Sequence, residues 1–134
     1  MLKTVQDFLY EEESYKIRGA CFDVWKQFRG AYKESIVDRA LTIALEERGL
    51  DVESQKRIDI LFQGEKVGTY VPDKIINGII LLELKAKPFV SAIDFEQFWN
   101  YLKSSNYKLG FLINFSPHKL EIKRAIYDIA RNKK

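Results

Sequence analysis

Three charged side chains near the middle of the chain have the types and spacing of a hydrolytic metal site. Glu83 and Lys85 are separated by one residue at the end of an apolar run, and Asp73 follows Pro72 ten residues before Glu83. Because successive side chains of a strand alternate between its faces, Glu83 and Lys85 share one face. Two charges inside a core-like segment are costly unless they are paired or bind a metal. The pattern therefore indicates a functional site.

The chemistry that these residues favour is the binding of a hard divalent cation. Carboxylate oxygens from two strands, completed by water molecules, are ligands that suit Mg²⁺ or Mn²⁺. Lys85 would lie near the attacked group, where it stabilises negative charge or helps to position and deprotonate the water. The alternative is an ordinary surface hairpin, on which Glu83 and Lys85 form a solvated ion pair of little consequence.

The connection between the two strands decides whether Asp73 and Glu83 can share a metal. Asn77-Gly78 is a strong hairpin signal. A two-residue turn there would pair Asp73 with Leu82, and Asp73 and Glu83 would then point to opposite faces. A shared metal requires an odd-length loop or a bulge, and Gly78 can supply a three-residue loop. We predict such an irregularity.

The motifs on this hairpin resemble the signature of the PD-(D/E)xK nuclease-like superfamily, through Pro72-Asp73 and Glu83-Leu84-Lys85. Within that superfamily, residues 15–124 are similar to the branch called GxxExxY proteins. The matching segments are Glu34, residues 70–73, ELKAK at 83–87, QFWNYL at 97–102 and LGFLINF at 109–115. Ala31 and Val37 stand where that branch has glycine and tyrosine.

The resemblance implies a restriction-endonuclease-like fold and a metal-dependent phosphodiesterase site. Asp73 and Glu83 would hold Mg²⁺ or Mn²⁺, and the backbone carbonyl of Leu84 would face the metal. Glu34, on an early helix, would complete the metal shell, although the helix dipole alone favours a glutamate at a helix start. Gln97 is either a neighbour of the site or a polar residue at the edge of the core. The expected catalytic set is Asp73, Glu83, Lys85, Glu34 and Gln97.

The elements that must position these residues follow from hydrophobic periodicity. Helical spacing predicts helices over 15–28, 32–48 and 92–105. Alternating or continuous apolar runs predict strands over 52–62, 67–75, 79–86 and 109–114. Residues 120–129 fit both periods in part, and we favour a strand. The order α-α-β-β-β-α-β-β is that of an α/β domain with a central mixed sheet of 4–5 strands flanked by helices.

Length and composition agree with one domain over residues 1–134, whose acidic first fourteen residues we expect to be loosely attached. The net charge of +3 permits contact with a polyanion but does not require it. The basic residues form a phosphate-binding rim or scattered solubilising charge.

Cys21, the single cysteine, lies in an apolar stretch, which favours a core position and a cytoplasmic protein. No apolar run is long enough to span a membrane, and one histidine with one cysteine excludes a zinc site.

The sequence therefore favours a metal-dependent nuclease acting on nucleic acid, with DNA favoured by the resemblance alone. The alternative is a non-catalytic module on the same fold that binds nucleic acid or protein, because no DNA-recognition appendage is recognisable. The intact set of two acids and a lysine argues for the nuclease. A third interpretation is a structural homo-oligomer, which predicts no stabilisation by metal. A homodimer could use the aromatic residues Phe8, Tyr10 and Trp99.

Overall fold

The computed structural model describes residues 9–30 and 33–127, so Phe8 and Ala31 lie outside the described residues. Two helices, α1 (Glu11–Phe28) and α2 (Glu34–Glu47), precede the first strand. The strands are β1 (Val52–Ser54), β2 (Ile58–Phe62), β3 (Glu65–Tyr70), β4 (Lys74–Ile76), β5 (Ile80–Lys85), β6 (Leu109–Phe115) and β7 (Leu120–Ile126). The third helix, α3 (Ala92–Ser104), joins β5 to β6. Among these helices, none is both long and apolar enough to cross a membrane.

Five strands form the central sheet, in the order β1-β4-β5-β6-β7. β5 and β6 are parallel, and the other neighbours are antiparallel. A parallel pair needs a long crossover, which α3 provides. β2 and β3 form a separate two-stranded hairpin. The predicted fold class, a mixed sheet flanked by helices, is confirmed.

The sheet is covered on both faces, and the alternation of β5 shows which side chains face which helices. Leu82 packs in a core with Ile17 of α1 and Leu41 of α2. Leu81 packs in a second core with Phe98 of α3. β5 is therefore buried on both faces, which explains its nearly continuous apolar sequence. By the same alternation, Glu83 and Lys85 lie on the α3 face.

The first helix begins earlier than its hydrophobic stripe predicts. α1 starts at Glu11, so Glu11 to Ser14 belong to the helix. Three glutamates occupy its first turn, where the helix dipole favours negative charge. The prediction that residues 1–14 are loosely attached stays a prediction, and residues 1–8 lie outside the described residues.

Two predicted strands are each divided, so five strands precede α3 where three were expected. Residues 52–62 contain β1 and β2, which belong to different sheets. Between them Gln55 adopts a left-handed conformation with φ 60°, which interrupts the extended backbone. Residues 67–75 contain the end of β3 and all of β4, with Pro72 between them. Proline cannot donate to a strand ladder, which accounts for the second break. The strand favoured over 120–129 is confirmed as β7.

Candidate active site

The loop between β4 and β5 has the odd length that a shared metal site requires. Ile76 pairs with Ile80, which leaves Asn77, Gly78 and Ile79 as a three-residue loop. Asn77 and Gly78 have φ values of 52° and 69°, and the Ile79 amide donates to the Ile76 carbonyl at 3.0 Å. Asparagine and glycine tolerate this left-handed backbone better than other residues do. The predicted irregularity is confirmed.

This register brings Asp73 and Glu83 to the same face of the sheet. Lys74 pairs with Leu82 in the antiparallel ladder. Asp73, which immediately precedes β4, therefore lies opposite Glu83. Both carboxylates are half-buried. The negative charge of Asp73 contributes to raising the pKa of Glu83. The two carboxylates therefore share one face of the sheet, as the prediction of a common cation requires.

The end of the β4–β5 ladder is completed by a side chain. The Leu84 amide donates to Oδ2 of Asp73 at 2.7 Å. In a continued ladder Leu84 would face Pro72, which has no N–H to donate. In a strand, the N–H and C=O of one residue point toward the same neighbouring strand. The Leu84 carbonyl therefore points toward the Pro72-Asp73 segment, where Pro72 has no N–H to donate to it. The Asp73 carboxylate thus takes the place of the ladder partner that Pro72 leaves out for the Leu84 amide.

Glu83 is oriented by an aromatic pair. The hydroxyl of Tyr70 donates to Oε1 of Glu83 at 3.2 Å, and the Tyr70 ring stacks on Tyr101 at 4.2 Å between centroids. Burial, and then the charge of Asp73, raise the pKa of Glu83 to about 7. Burial and the neighbouring Glu83 raise the pKa of Tyr70 as well, so its hydroxyl remains a donor.

Asp73 and the neighbouring carboxylates Glu34 and Glu83 repel one another, and Lys85 offsets this repulsion only in part. Burial is the largest cause that raises the pKa of Asp73, and the charge of Asp38 adds to it. Glu34, exposed at the start of α2, has its pKa raised by partial desolvation and by the charge of Asp73. Lys85 acts in the opposite direction on all three of Glu34, Asp73 and Glu83. A bound cation would relieve this mutual repulsion.

Gln97 of α3 lies over the sheet face that carries Glu83 and Lys85. A crevice of about 20 Å³ is lined by Glu83, Lys85, Asp94, Gln97, Phe98, Tyr101 and Leu112. That volume is enough for about one water molecule. The structure therefore brings Gln97 to Glu83 and Lys85, and its part in catalysis stays a prediction.

The donor atoms fit Mg²⁺ or Mn²⁺ as a site with few protein ligands. Across residues 9–30 and 33–127, no three Asp, Glu, His or Cys side chains come close enough to hold a metal ion. Mg²⁺ is commonly held by one or two carboxylates while it keeps several waters. Asp73, Glu83 and the Leu84 carbonyl offer only hard oxygen ligands, which agrees with that chemistry. The role of Glu34 as a further ligand stays a prediction.

A buried ion pair that the sequence analysis missed connects the helix of Glu34 to the strand of Asp73. Lys74 is fully buried in β4, and its ammonium contacts Oδ1 of Asp38 at 2.5 Å. Asp38 lies one helical turn after Glu34 on α2, and Lys74 follows Asp73 directly. The pair therefore fixes α2 beside the site. A lysine immediately before two isoleucines in a strand was the available signal, because lysine is seldom buried without a partner.

Comparison with known proteins identifies the family. A model of the PD-(D/E)XK nuclease superfamily matches residues 11–125. The chain belongs to the PD-(D/E)XK nuclease superfamily. The match is to the superfamily as a whole, so membership of the GxxExxY branch stays a prediction. No curated protein matches the chain significantly.

Among solved structures, the crystal structure of SSO0001 is similar to this chain with a TM-score of 0.47 and 16% sequence identity. The similarity covers 96% of this chain and 81% of that one. At this level of similarity we draw nothing from it. Membership of the PD-(D/E)XK nuclease superfamily, in contrast, agrees with the mixed sheet flanked by helices described above.

Proposed function

We propose that this protein is a Mg²⁺- or Mn²⁺-dependent nuclease that hydrolyses phosphodiester bonds of nucleic acid, with DNA as the favoured substrate. The observation that carries the proposal is the register of the β4–β5 hairpin, which places Asp73 opposite Glu83 and on the face of Lys85. Membership of a nuclease superfamily supports it.

Asp73 and Glu83 would hold the cation, with the Leu84 carbonyl as a further ligand and Glu34 as the candidate that completes the shell. The cation would neutralise phosphate charge and lower the pKa of a bound water. Cytoplasmic location and a homodimer remain predictions from the sequence. Of the aromatic residues considered for a dimer, Tyr10 and Trp99 are half-buried, and Trp99 packs edge-on against Tyr127 at 5.7 Å.

The other side chains of the site have separate tasks. Lys85 stabilises negative charge on the attacked phosphate, or positions and deprotonates the attacking water. Gln97 offers an amide donor and acceptor beside a crevice that has room for one water. Tyr70 fixes the orientation of the Glu83 carboxylate through its hydroxyl.

The test is cleavage of single- and double-stranded DNA and RNA with Mg²⁺ or Mn²⁺ by the wild type and by Asp73→Asn, Glu83→Gln and Lys85→Met. Asparagine at position 73 can still accept the Leu84 amide, so this variant removes charge and keeps the fold. We expect each variant to lose activity by a factor on the order of 10²–10³. Asp59→Asn is the matched control, because the Asp59–Lys66 pair is exposed and such pairs contribute little.

The outcomes separate the proposal from its alternative. Cleavage that persists in Asp73→Asn at the wild-type rate would contradict the assignment of the site. Metal-dependent stabilisation of the wild type without cleavage of any of the four substrates would favour the non-catalytic binding module.

A further inference from the structure

The loop between β5 and α3 presents an exposed aromatic side chain beside the site. Phe89 is 66% exposed, and it lies four residues after Lys85. Four residues span at most about 14 Å, so Phe89 is within reach of a nucleotide next to the phosphate at Lys85. Exposed phenylalanines also occur elsewhere, for example Phe62 at the tip of the β2–β3 hairpin, with 63% exposure. Exposure alone therefore decides nothing.

Hydrogen bonds hold the backbone on both sides of Phe89. The buried side chain of Asn114 accepts the Lys87 amide at 3.0 Å and donates to the Lys87 carbonyl at 2.9 Å. The Ser116 hydroxyl donates to the Pro88 carbonyl at 2.9 Å, and Glu121 accepts the Val90 amide at 3.2 Å. An exposed ring on a backbone fixed in this way is preorganised, which lowers the entropic cost of binding a ligand.

The loop is tied to the site as well. The Lys87 ammonium contacts Oδ2 of Asp94 at 2.7 Å, and Asp94 lines the crevice that also contains Glu83, Lys85 and Gln97. The Lys87–Asp94 contact therefore connects the loop of Phe89 to the crevice beside Glu83 and Lys85.

Two cationic side chains, Lys119 and Arg29, are connected to the same loop through Ser116. Ser116, which holds Pro88, is followed by an exposed turn that contains His118 and Lys119. The carbonyl of Ser116 accepts the indole N–H of Trp25 at 2.8 Å, and the Arg29 guanidinium lies over the Trp25 ring at 4.6 Å. An aromatic side chain within a positively charged surface is the combination with which proteins bind single strands.

We propose that Phe89 is a stacking platform for an unpaired base, so that the protein binds single-stranded nucleic acid in preference to duplex. Bases inside a duplex have both faces covered by neighbours, whereas an unpaired base can offer one face to the ring. Lys119 and Arg29 contact the phosphate backbone of the bound nucleic-acid strand. This inference rests on the proposed nuclease function, because it names the form of the substrate.

The test measures binding of a fluorescein-labelled oligonucleotide of mixed sequence, once as a single strand and once as a duplex. Fluorescence anisotropy reports the binding, and EDTA is present so that no cleavage occurs. We expect Phe89→Ala to weaken single-strand binding about tenfold, because stacking of one base on an aromatic ring has that order of effect. Duplex binding should change less than twofold. Phe62→Ala, an equally exposed phenylalanine, is the control and should bind as the wild type does. Phe89→Trp should retain binding, and the single strand should quench its fluorescence.

Several results would overturn the inference. These are single-strand binding by Phe89→Ala within twofold of the wild type, equal weakening of single-strand and duplex binding, an equal effect of Phe62→Ala, or no binding of the single strand by the wild type. The proposed function is judged separately, by cleavage with metal. A wild type that cleaves while Phe89→Ala binds normally removes the stacking platform and leaves the nuclease.

Discussion

Tyr70 connects the carboxylate of Glu83 to two other elements, although it is the last residue of the separate β2–β3 hairpin. Its hydroxyl donates a hydrogen bond to Glu83 of β5, and its ring stacks on Tyr101 of α3. The small hairpin therefore contributes to the site as well as to the surface. If Glu83 holds a cation as proposed, the side chain that orients it should affect metal binding as much as activity.

We predict that Tyr70→Phe lowers metal affinity or cleavage by about tenfold, because it removes the hydrogen bond to Glu83 and keeps the stacked ring. The free energy of unfolding should fall by about 1 kcal/mol. The measurements are a metal titration of the cleavage rate and urea unfolding. Tyr15→Phe, which changes a tyrosine that is 80% exposed, is the control and should alter neither.

At the scale of elements, α3 lies in close contact with the sheet. A side chain on Gly110 of β6 would place its Cβ 2.7 Å from Cζ of Phe98 and 3.3 Å from the Leu81 carbonyl. Gly110 thus allows the Phe98 ring to approach the sheet. The approach sets the depth at which α3, and with it Gln97, lies over β5.

Gly110→Ala should lower the free energy of unfolding by about 1–3 kcal/mol, as overpacking of a core commonly does. Gly68→Ala is the matched control in β3, because a Cβ there would meet no atom within 4 Å. That substitution should be neutral or slightly stabilising. Equal effects of the two changes in urea unfolding would contradict the packing argument.

The N-terminus of α3 should make stability depend on acid pH. Ser91 and Asp94 form a reciprocal capping box, and the Lys87 ammonium beside Asp94 holds the pKa of that carboxyl down to about 2. Because its pKa is lowered on folding, Asp94 stabilises the fold fully above the pKa of about 3.9 that it has in the unfolded chain. This contribution is lost as pH falls through about 2.

We therefore expect Asp94→Asn to be less stable than the wild type at pH 6, and the difference to disappear between pH 4 and pH 2. Thermal unfolding across that range measures it. Asp59→Asn should show no such convergence.

The sequence predicts helix α3 and the β4–β5 hairpin well, because helical spacing and an Asn-Gly pair are local signals. It also predicts that Asp73, Glu83 and Lys85 share a face, once an odd-length loop is required. It does not reveal that residues 52–62 are divided between two sheets, since alternation is the same in both. The Lys74–Asp38 pair and the Tyr70–Glu83 bond join residues that are distant in the chain, and no local pattern reports them.

For the whole molecule, cation binding and folding should be coupled. Asp73 and Glu83 come together only in the folded sheet, so a cation that they hold raises stability by mass action. At a metal concentration ten times Kd, the gain is about 1.4 kcal/mol, which corresponds to a Tm rise of about 5 °C. We expect that rise with Mn²⁺ or Mg²⁺ for the wild type and for Asp59→Asn, and its absence for Asp73→Asn. A similar rise in all three proteins would indicate binding elsewhere.

The three-residue loop between β4 and β5 also bears on the order in which the chain folds. Lys74 and Leu82 pair across a very short loop, whereas Ile80 pairs with Leu109 only after all of α3 has been placed. Closing a short loop costs less entropy, so the hairpin can form before the parallel pair does. The two carboxylates would then be adjacent already in the transition state. A divalent cation should therefore speed refolding more than it slows unfolding, and a chevron plot with and without metal would show which arm moves.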